Sequence, residues 1–245
     1  MRGVALLLVV AGCGRFGFLG LGDDTPTIDS GDDGPTSFVC TFDFCDRFES
    51  PTLDPAWTVD PGVTVDTTRA HSGTGSLHVH SPAFAAASDS YANATRPVPA
   101  AKTFWIRSWF WLSALPAGAN GMELLVAEQI GVGPMGDYIF LFANETHVYS
   151  QFESSSMITN PVTVGNWFCL VFQVVLSPTT TGSLDITGAV TSSLPNVRTD
   201  DATTPVSLLA WGIGFSGNNV PDAQPALDLW IDDVIVHSAP VACTD

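Results

Sequence analysis

The stretch Leu227–His237 reads Leu-Asp-Leu-Trp-Ile-Asp-Asp-Val-Ile-Val-His and has the length and β-branched content of a buried β-strand. Two adjacent acids interrupt this apolar run. Side chains alternate between the two faces of a strand, so either Asp232 or Asp233 must fall in an apolar row. A carboxylate there has to be hydrogen-bonded, ion-paired or metal-bound, or a β-bulge has to redirect it. The stretch therefore predicts a buried strand that carries a polar site.

The metal interpretation of this site predicts a structural calcium ion. Asp232 and Asp233 would supply oxygens, and Glu49 or Asp43 would add another if the first and last strands adjoin. Backbone carbonyls could complete the roughly six to eight oxygens that calcium requires. The alternative is a pair of acids that accept backbone N–H groups at a bulge or strand end. The sequence leaves both interpretations open.

The rest of the chain repeats the strand signal. Short runs rich in Val, Thr, Phe and Trp alternate with turns marked by 22 glycines and 17 prolines, and no long stretch has a helical period. Roughly a dozen strands are predicted between residue 38 and the C-terminus. That number of strands packs as two sheets, so the expected fold class is an all-β sandwich.

Residues 104–113 predict a strand with an aromatic face. This face carries, in order, Trp105, Arg107, Trp109 and Trp111. Together with Tyr149, these side chains could bind a sugar through ring platforms and the guanidinium group. The alternative is that the tryptophans pack beneath a loop.

The N-terminus predicts export. Residues 1–13 read Met-Arg-Gly-Val-Ala-Leu-Leu-Leu-Val-Val-Ala-Gly-Cys, which is a basic residue, a short apolar core and small residues before a cysteine. This pattern resembles a bacterial lipobox and predicts a lipid anchor at Cys13, with the protein held on the cell envelope at the outer membrane. Residues 14–37 are acidic and rich in Gly, Pro, Ser and Thr, so they predict a flexible linker before a domain at 38–245.

Charge and cysteine content restrict the function further. The formal net charge is −17, which repels nucleic acid and excludes it as a partner. With Cys13 lipidated, four cysteines remain and predict two disulfides in an exported protein. Of the three possible connectivities we favour Cys40 with Cys243 and Cys45 with Cys169, which would join distant parts of the chain.

Five short segments together resemble a known family. They are residues 44–49, 70–77 (Ala-His-Ser-Gly-Thr-Gly-Ser-Leu), 165–169 (Gly-Asn-Trp-Phe-Cys), 182–186 (Gly-Ser-Leu-Asp-Ile) and 230–234 (Trp-Ile-Asp-Asp-Val). Their order is similar to that of laminin-G-like domains in the concanavalin A-like lectin/glucanase superfamily. The resemblance implies a jelly roll of two antiparallel sheets, one of them concave. Members of this superfamily include lectins, adhesion modules, glycoside hydrolases and polysaccharide lyases, so membership alone does not fix the function.

Two catalytic classes of this superfamily can be compared with the residues of the chain. A glycosidase of this superfamily needs an E-x-D-x-E strand, which the chain lacks, and Glu123 and Glu128 are five residues apart and so lie on opposite faces of a regular strand. A lyase is the stronger catalytic alternative. The candidate lyase residues, whose types match those of alginate-lyase-like jelly rolls, are Arg107, His147, Tyr149 and Gln151.

The function expected from the sequence is a surface lipoprotein whose sandwich binds a glycan or another envelope ligand without catalysis. A polysaccharide lyase acting by β-elimination and a structural adhesion module are the alternatives. His78 and His80 share a strand face, and either metal binding or plain surface exposure fits them. The one cofactor that the sequence predicts is calcium, bound at Asp232 and Asp233.

Overall fold

The computed structural model describes residues 40–128, 136–150, 153–159, 162–189, 191–197 and 204–244. These residues form fifteen strands and one short 3-10 helix, Gly217–Asn219. The strands are β1 Phe44–Asp46, β2 Thr58–Val59, β3 Val63–Asp66, β4 Ser76–Ser81, β5 Ser90–Ala101, β6 Thr103–Leu112, β7 Met122–Glu128, β8 Gly136–Leu141, β9 Glu145–Ser150, β10 Glu153–Thr159, β11 Trp167–Val175, β12 Gly182–Thr187, β13 Thr191–Val197, β14 Val206–Phe215 and β15 Leu227–His237. β2, β10 and β13 are the strands that the sequence pattern does not predict.

The strands form two sheets, which confirms the predicted sandwich. Sheet A has the order β13-β12-β11-β6-β15-β4-β3, and β1 also pairs with β15. Sheet B has the order β10-β9-β8-β7-β14-β5-β2. The pairings within both sheets are antiparallel. This architecture is an antiparallel jelly-roll β-sandwich.

The core lies between the inner faces of the two sheets. In β11 the alternate residues Phe168, Leu170, Phe172 and Val174 are all buried there, as the strand period predicts. Trp211 of β14 is the largest fully buried side chain, and its indole N–H donates a 2.9 Å hydrogen bond to the hydroxyl of Ser108 in β6. The alternate residues of each strand point to an outer face, away from the other sheet.

β15 carries the bulge that its sequence allowed. Its register against β6 shifts between Asp232 and Ile235, and Asp233 has a φ of 48°. Up to Ile231 the odd-numbered residues belong to the core, whereas Val234 and Val236 belong to it beyond the bulge. One extra residue therefore exchanges the two faces of the strand and keeps both acids out of the hydrophobic core.

The predicted disulfide pairing is wrong. The structure joins Cys40 to Cys45 and Cys169 to Cys243, with Cα atoms 6.1 Å and 5.8 Å apart. The C-terminal segment crosses the outer face of sheet A, where Arg107 donates hydrogen bonds to the carbonyls of Ala242 and Thr244. That path brings Cys243 over β11, next to β6, and away from Cys40.

Other predictions concern residues outside the described ranges. Cys13 with the lipobox, the linker at 14–37 and Gln151 all lie outside them. Within the described ranges, no helix has the length and apolar character that a membrane span requires.

The two disulfides should differ in their contribution to stability. A disulfide stabilises the fold by restricting the unfolded chain, and the effect grows with the length of the closed loop. Cys169 and Cys243 are 74 residues apart, which predicts a stabilisation of roughly 4 kcal/mol. Cys40 and Cys45 are five residues apart, which predicts roughly 2 kcal/mol. We expect the double variant C169S/C243S to lose more free energy of unfolding than C40S/C45S. Urea unfolding under non-reducing conditions measures this difference, and equal losses would contradict the loop-length argument.

Candidate functional site

The outer face of sheet A carries the predicted tryptophans, but other parts of the chain cover it. Trp109 lies under His71, whose ring stacks on it with centroids 3.7 Å apart. The guanidinium of Arg69 lies 3.4 Å from the centroid of the Trp111 ring. Arg107 is buried beneath the C-terminal segment and also donates to the carbonyl of Asp233. Trp109 and Trp111 are therefore partly covered by the loop before β4.

The two acids of β15 are held by donors from two other segments. Asp232 accepts the backbone N–H groups of His71 and Ser72 at 2.8 and 3.1 Å. Asp233 accepts hydrogen bonds from the Arg47 guanidinium at 3.1 Å and from the Ser72 hydroxyl at 2.8 Å. It also lies 2.7 Å from the His71 Nδ1. The acid pair therefore fixes the loop before β4 and the end of β1 to β15.

The remaining residues of the predicted calcium site bind elsewhere. Glu49 accepts the backbone N–H and the hydroxyl of Thr74, and Asp43 accepts the backbone N–H of Ser238 at 2.6 Å. Within the described ranges, no three or more His, Cys, Asp or Glu side chains are already arranged to hold a metal ion. Calcium at Asp232 and Asp233 stays a prediction, while protein donors explain how both acids are accommodated.

The outer face of sheet B presents a row of functional side chains across five strands. Neighbouring strands align Tyr91 with Gly214, Gly214 with Glu123, Glu123 with Phe140, and Phe140 with His147. The absence of a side chain at Gly214 lets Glu123 and Tyr91 approach each other across β14. A Cβ atom at this position would crowd both, at 3.0 Å from a Glu123 carboxylate oxygen and 3.2 Å from the Tyr91 ring. Tyrosine, carboxyl and imidazole groups thus share one surface.

A second bulge places Glu123 on this surface, and it corrects our expectation for β7. The register of β7 shifts near Leu124 against both of its neighbours. Leu124, Leu125 and Ala127 belong to the core, while Glu123 and Glu128 do not. Because of the extra residue, the two glutamates lie on the same face and not on opposite faces.

These side chains line an open cleft, which we call the sheet B cleft. Its volume is about 380 Å³, and its lining residues are Tyr91, Glu123, Tyr138, Phe140, Tyr149, Ser216 and Asn219. The Phe140 ring lies edge-on to Tyr149 with centroids 5.1 Å apart, and Tyr138 lies 6.1 Å from Phe140. Tyr91 and Tyr149 are 47% and 37% exposed, so their rings are available to a ligand.

Burial in the cleft changes the proton affinity of its carboxyl and phenol groups. Burial, reinforced by the charge of Glu128, raises the pKa of Glu123 to about 7. Burial and the two glutamates raise the pKa of Tyr138 to about 12, and burial with Glu123 also raises that of Tyr91. Near neutral pH the tyrosines keep their protons, and Glu123 is able either to donate or to accept a hydrogen bond.

Of the candidate lyase residues, His147 and Tyr149 lie together in sheet B. Both lie on the outer face of β9, and their rings stack with centroids 5.7 Å apart. His147 Nε2 lies 2.9 Å from a carboxylate oxygen of Glu145. This pair could exchange protons with a bound ligand.

The predicted binding set is divided between the two outer faces of the sandwich. Trp105, Arg107, Trp109 and Trp111 belong to β6 of sheet A, and Tyr149 belongs to β9 of sheet B. The sequence analysis missed Tyr91, Glu123 and Tyr138. Alternation along each strand could have found the tyrosines, whereas Glu123 depends on a bulge that has no local sequence signal here.

Similar folds occur among solved structures. The cellulose-induced protein Cip1 is 17% identical over 82% of this chain and 100% of that one, with a TM-score of 0.59. An endo-β-1,4-glucuronan lyase from the fungus Trichoderma reesei is 16% identical over 82% of this chain and 92% of that one, with a TM-score of 0.54. The PL-14 alginate lyase from Aplysia kurodai is 8% identical over 82% and 100% of the two chains, with a TM-score of 0.56.

At these identities the similarities show the fold alone, which is an antiparallel jelly-roll β-sandwich. No protein-family model matches the chain, and neither does any curated protein. The resemblance to laminin-G-like domains stays a prediction.

Glu123 should make stability depend on pH. Its pKa rises from 4.5 to about 7 on folding, so the folded state retains a proton that the unfolded state releases above pH 4.5. Its contribution to stability therefore decreases as the pH rises from 4.5 to 7. We expect Glu123→Gln to raise the free energy of unfolding at pH 8 by about 1 kcal/mol, after allowance for solvent screening, and to leave it unchanged at pH 4.

Denaturant unfolding at the two pH values measures this effect. Asp54→Asn is a control of opposite sign, because the Ala56 N–H group lowers the pKa of Asp54 and its charge stabilises the fold. An equal change for Glu123→Gln at pH 4 and pH 8 would contradict the burial argument.

Proposed function

We propose that this protein is an exported, non-catalytic glycan-binding protein and that the sheet B cleft is its binding site. The observation that carries this proposal is the combination of exposed tyrosine rings with a half-buried carboxyl group in one open cleft. Binding sites for small ligands pair an apolar lining with a few oriented polar groups. The cleft has both components.

The cleft suits a sugar because aromatic rings and polar atoms share its lining. The C–H faces of a pyranose ring pack on aromatic rings such as Tyr91 and Tyr149, and the tyrosine hydroxyls can bond to the sugar hydroxyls. Glu123 accepts no hydrogen bond from the described residues and faces the open cleft, so its oxygens can serve a ligand. Ser216 and Asn219 add polar groups at one side.

The charge of the cleft favours neutral glycans over polyuronates. The described lining residues include no lysine or arginine, and Glu123 lies near Glu128. A ligand rich in carboxylates would be repelled both here and by the net charge of −17. An anchor at Cys13 would hold the cleft outside the cytoplasm, where envelope and extracellular glycans are found.

Substitution of the exposed ring on β9 tests the site. We expect Tyr149→Ala to weaken binding to a neutral glycan about tenfold, because one stacking contact contributes roughly 1 kcal/mol or more. A glycan array identifies the ligand, and titration calorimetry with that glycan gives the dissociation constants. Tyr91→Ala should have a similar effect from the opposite side of the cleft.

Trp105→Ala is the matched control, because it removes a partly exposed ring from the outer face of sheet A. It should leave the affinity unchanged. If Trp105→Ala weakens binding and both tyrosine variants do not, the ligand binds to sheet A. If the wild-type protein binds no glycan, the structural adhesion role takes the place of this proposal.

The second candidate function is a polysaccharide lyase acting by β-elimination. The stacked pair His147 and Tyr149 favours it, because β-elimination needs a base and an acid at adjacent positions. Two proteins of similar fold are named as lyases that act on glucuronan and alginate. Against this function, Arg107 does not reach the cleft and is buried on the other sheet, so the predicted group for neutralising the uronate is missing there.

Tyr149→Phe separates the two functions because it keeps the ring and removes the hydroxyl group. A binding protein should keep its glycan affinity within a few fold and form no unsaturated product. A lyase should release unsaturated ends, detectable by ultraviolet absorbance, and lose turnover by roughly 100-fold or more in the variant. Product formation by the wild-type protein would place the lyase first.

A further inference from the structure

Two imidazoles and a carboxylate converge on the outer face of sheet A. The Nε2 atom of His78 lies 2.9 Å from Oδ1 of Asp228, and the Nδ1 atom of His80 lies 2.8 Å from the same oxygen. The side chains of His78, His80 and Asp228 are 23%, 47% and 33% exposed. The three groups are therefore close to one another and accessible from solvent.

The strand geometry fixes this arrangement. His78 and His80 are two residues apart on β4, so both point outward while Leu77 and Val79 enter the core. Asp228 is the direct cross-strand partner of His80 in β15. The His78 ring is also held by the Trp230 ring, stacked with centroids 4.4 Å apart. Backbone pairing thus brings the donor atoms together.

The cluster differs from the other histidine-carboxylate contacts among the described residues. His71 with Asp233, His147 with Glu145 and His237 with Asp43 each contain a single imidazole. Only in the β4–β15 cluster do two imidazoles of the described residues share one carboxylate oxygen. An ordinary ion pair needs only one imidazole, so the second one calls for a further explanation.

We propose that His78, His80 and Asp228 form a binding site for a divalent transition metal ion of the zinc class. Imidazole nitrogen with carboxylate oxygen is a ligand set that zinc prefers, and three protein ligands leave one position for water. The site lies on sheet A, away from the sheet B cleft, and is independent of the glycan proposal. The ion would link β4 to β15.

The three ligand groups are in contact but do not form a coordination shell. Atoms bound to one tetrahedral zinc ion at about 2.0–2.2 Å from it are themselves about 3.3–3.6 Å apart, so the hydrogen-bonded nitrogen–oxygen distances of 2.8 and 2.9 Å would have to lengthen by about half an ångström. As they stand, no three such side chains in the described ranges surround a metal position. The ion would displace the shared protons, and the three exposed side chains would rotate to admit it.

The backbone at Asp228 is held in place, because the Asp228 N–H donates a 2.9 Å hydrogen bond to the Ser113 hydroxyl. Only the three side chains would therefore have to move when a metal binds.

Metal titration of the intact, untagged protein tests the proposal. After treatment with a chelator, we expect Zn²⁺ to bind with 1:1 stoichiometry in calorimetry and to raise the melting temperature. Co²⁺ should give the visible absorption bands of a bound ion with nitrogen ligands. H78A, H80A and D228N should each weaken Zn²⁺ binding by about 100-fold or more.

H147A and H237A are matched controls, since each removes one imidazole paired to a carboxylate, and both should bind Zn²⁺ like the wild-type protein. Circular dichroism of the three site variants establishes that they are folded, and the half-exposed His80 makes H80A the safest of them. Absence of wild-type binding would overturn the proposal. Wild-type Zn²⁺ affinity in H78A and H80A would also overturn it, and so would a loss of affinity in H147A as large as the loss in those two variants.

Discussion

The hydrogen bonds between the acid pair of β15 and its donors hold sheet A together where the neighbour of β15 changes. Along one edge, residues 227–231 pair with β4 and residues 234–236 pair with β1. Between them, the backbone N–H groups of His71 and Ser72 lack a strand partner and donate to Asp232 instead. Arg47 at the end of β1 reaches Asp233. Two carboxylates thereby replace a missing stretch of sheet pairing.

This junction determines which face of the sandwich is open. The loop that the acids hold carries Arg69 and His71, which cover Trp111 and Trp109, and the C-terminal segment covers Arg107. The outer face of sheet A is thus closed over its middle. Sheet B has no such cover over the described part of its cleft, where Tyr91 and Tyr149 stay exposed. The most exposed aromatic rings among the described residues, Tyr91 and Tyr149, are therefore on the sheet with fewer tryptophans.

Alternation along the strands predicted the sandwich and the core row of β11, because burial imposes a period of two wherever a strand is regular. Local sequence pattern does not report where a strand lies in space. It could not place β6 and β9 on different sheets, so it joined Trp109 and Tyr149 in one site. It also could not follow the C-terminal segment, whose path over β6 determines the pairing of Cys169 with Cys243.

The two β-bulges determine where the acidic side chains of β15 and β7 point, which strand alternation alone does not predict. They place these acids in two different environments. In β15 the bulge turns the acids toward N–H, hydroxyl and guanidinium donors. Burial would raise the pKa of Asp233, but hydrogen bonds from His71 and Ser72 lower it, whereas burial and the Asp233 charge raise the pKa of Asp232 to about 7. In β7 the bulge turns Glu123 into a cleft where no described residue donates to it, and burial raises its pKa to about 7. A folded chain gains no stability from that second arrangement. Glu123 differs from Asp232 in its surroundings, because Asp232 accepts N–H groups of the chain whereas Glu123 faces an open cleft in which a ligand could supply the hydrogen bonds, and this is the role that we propose for it.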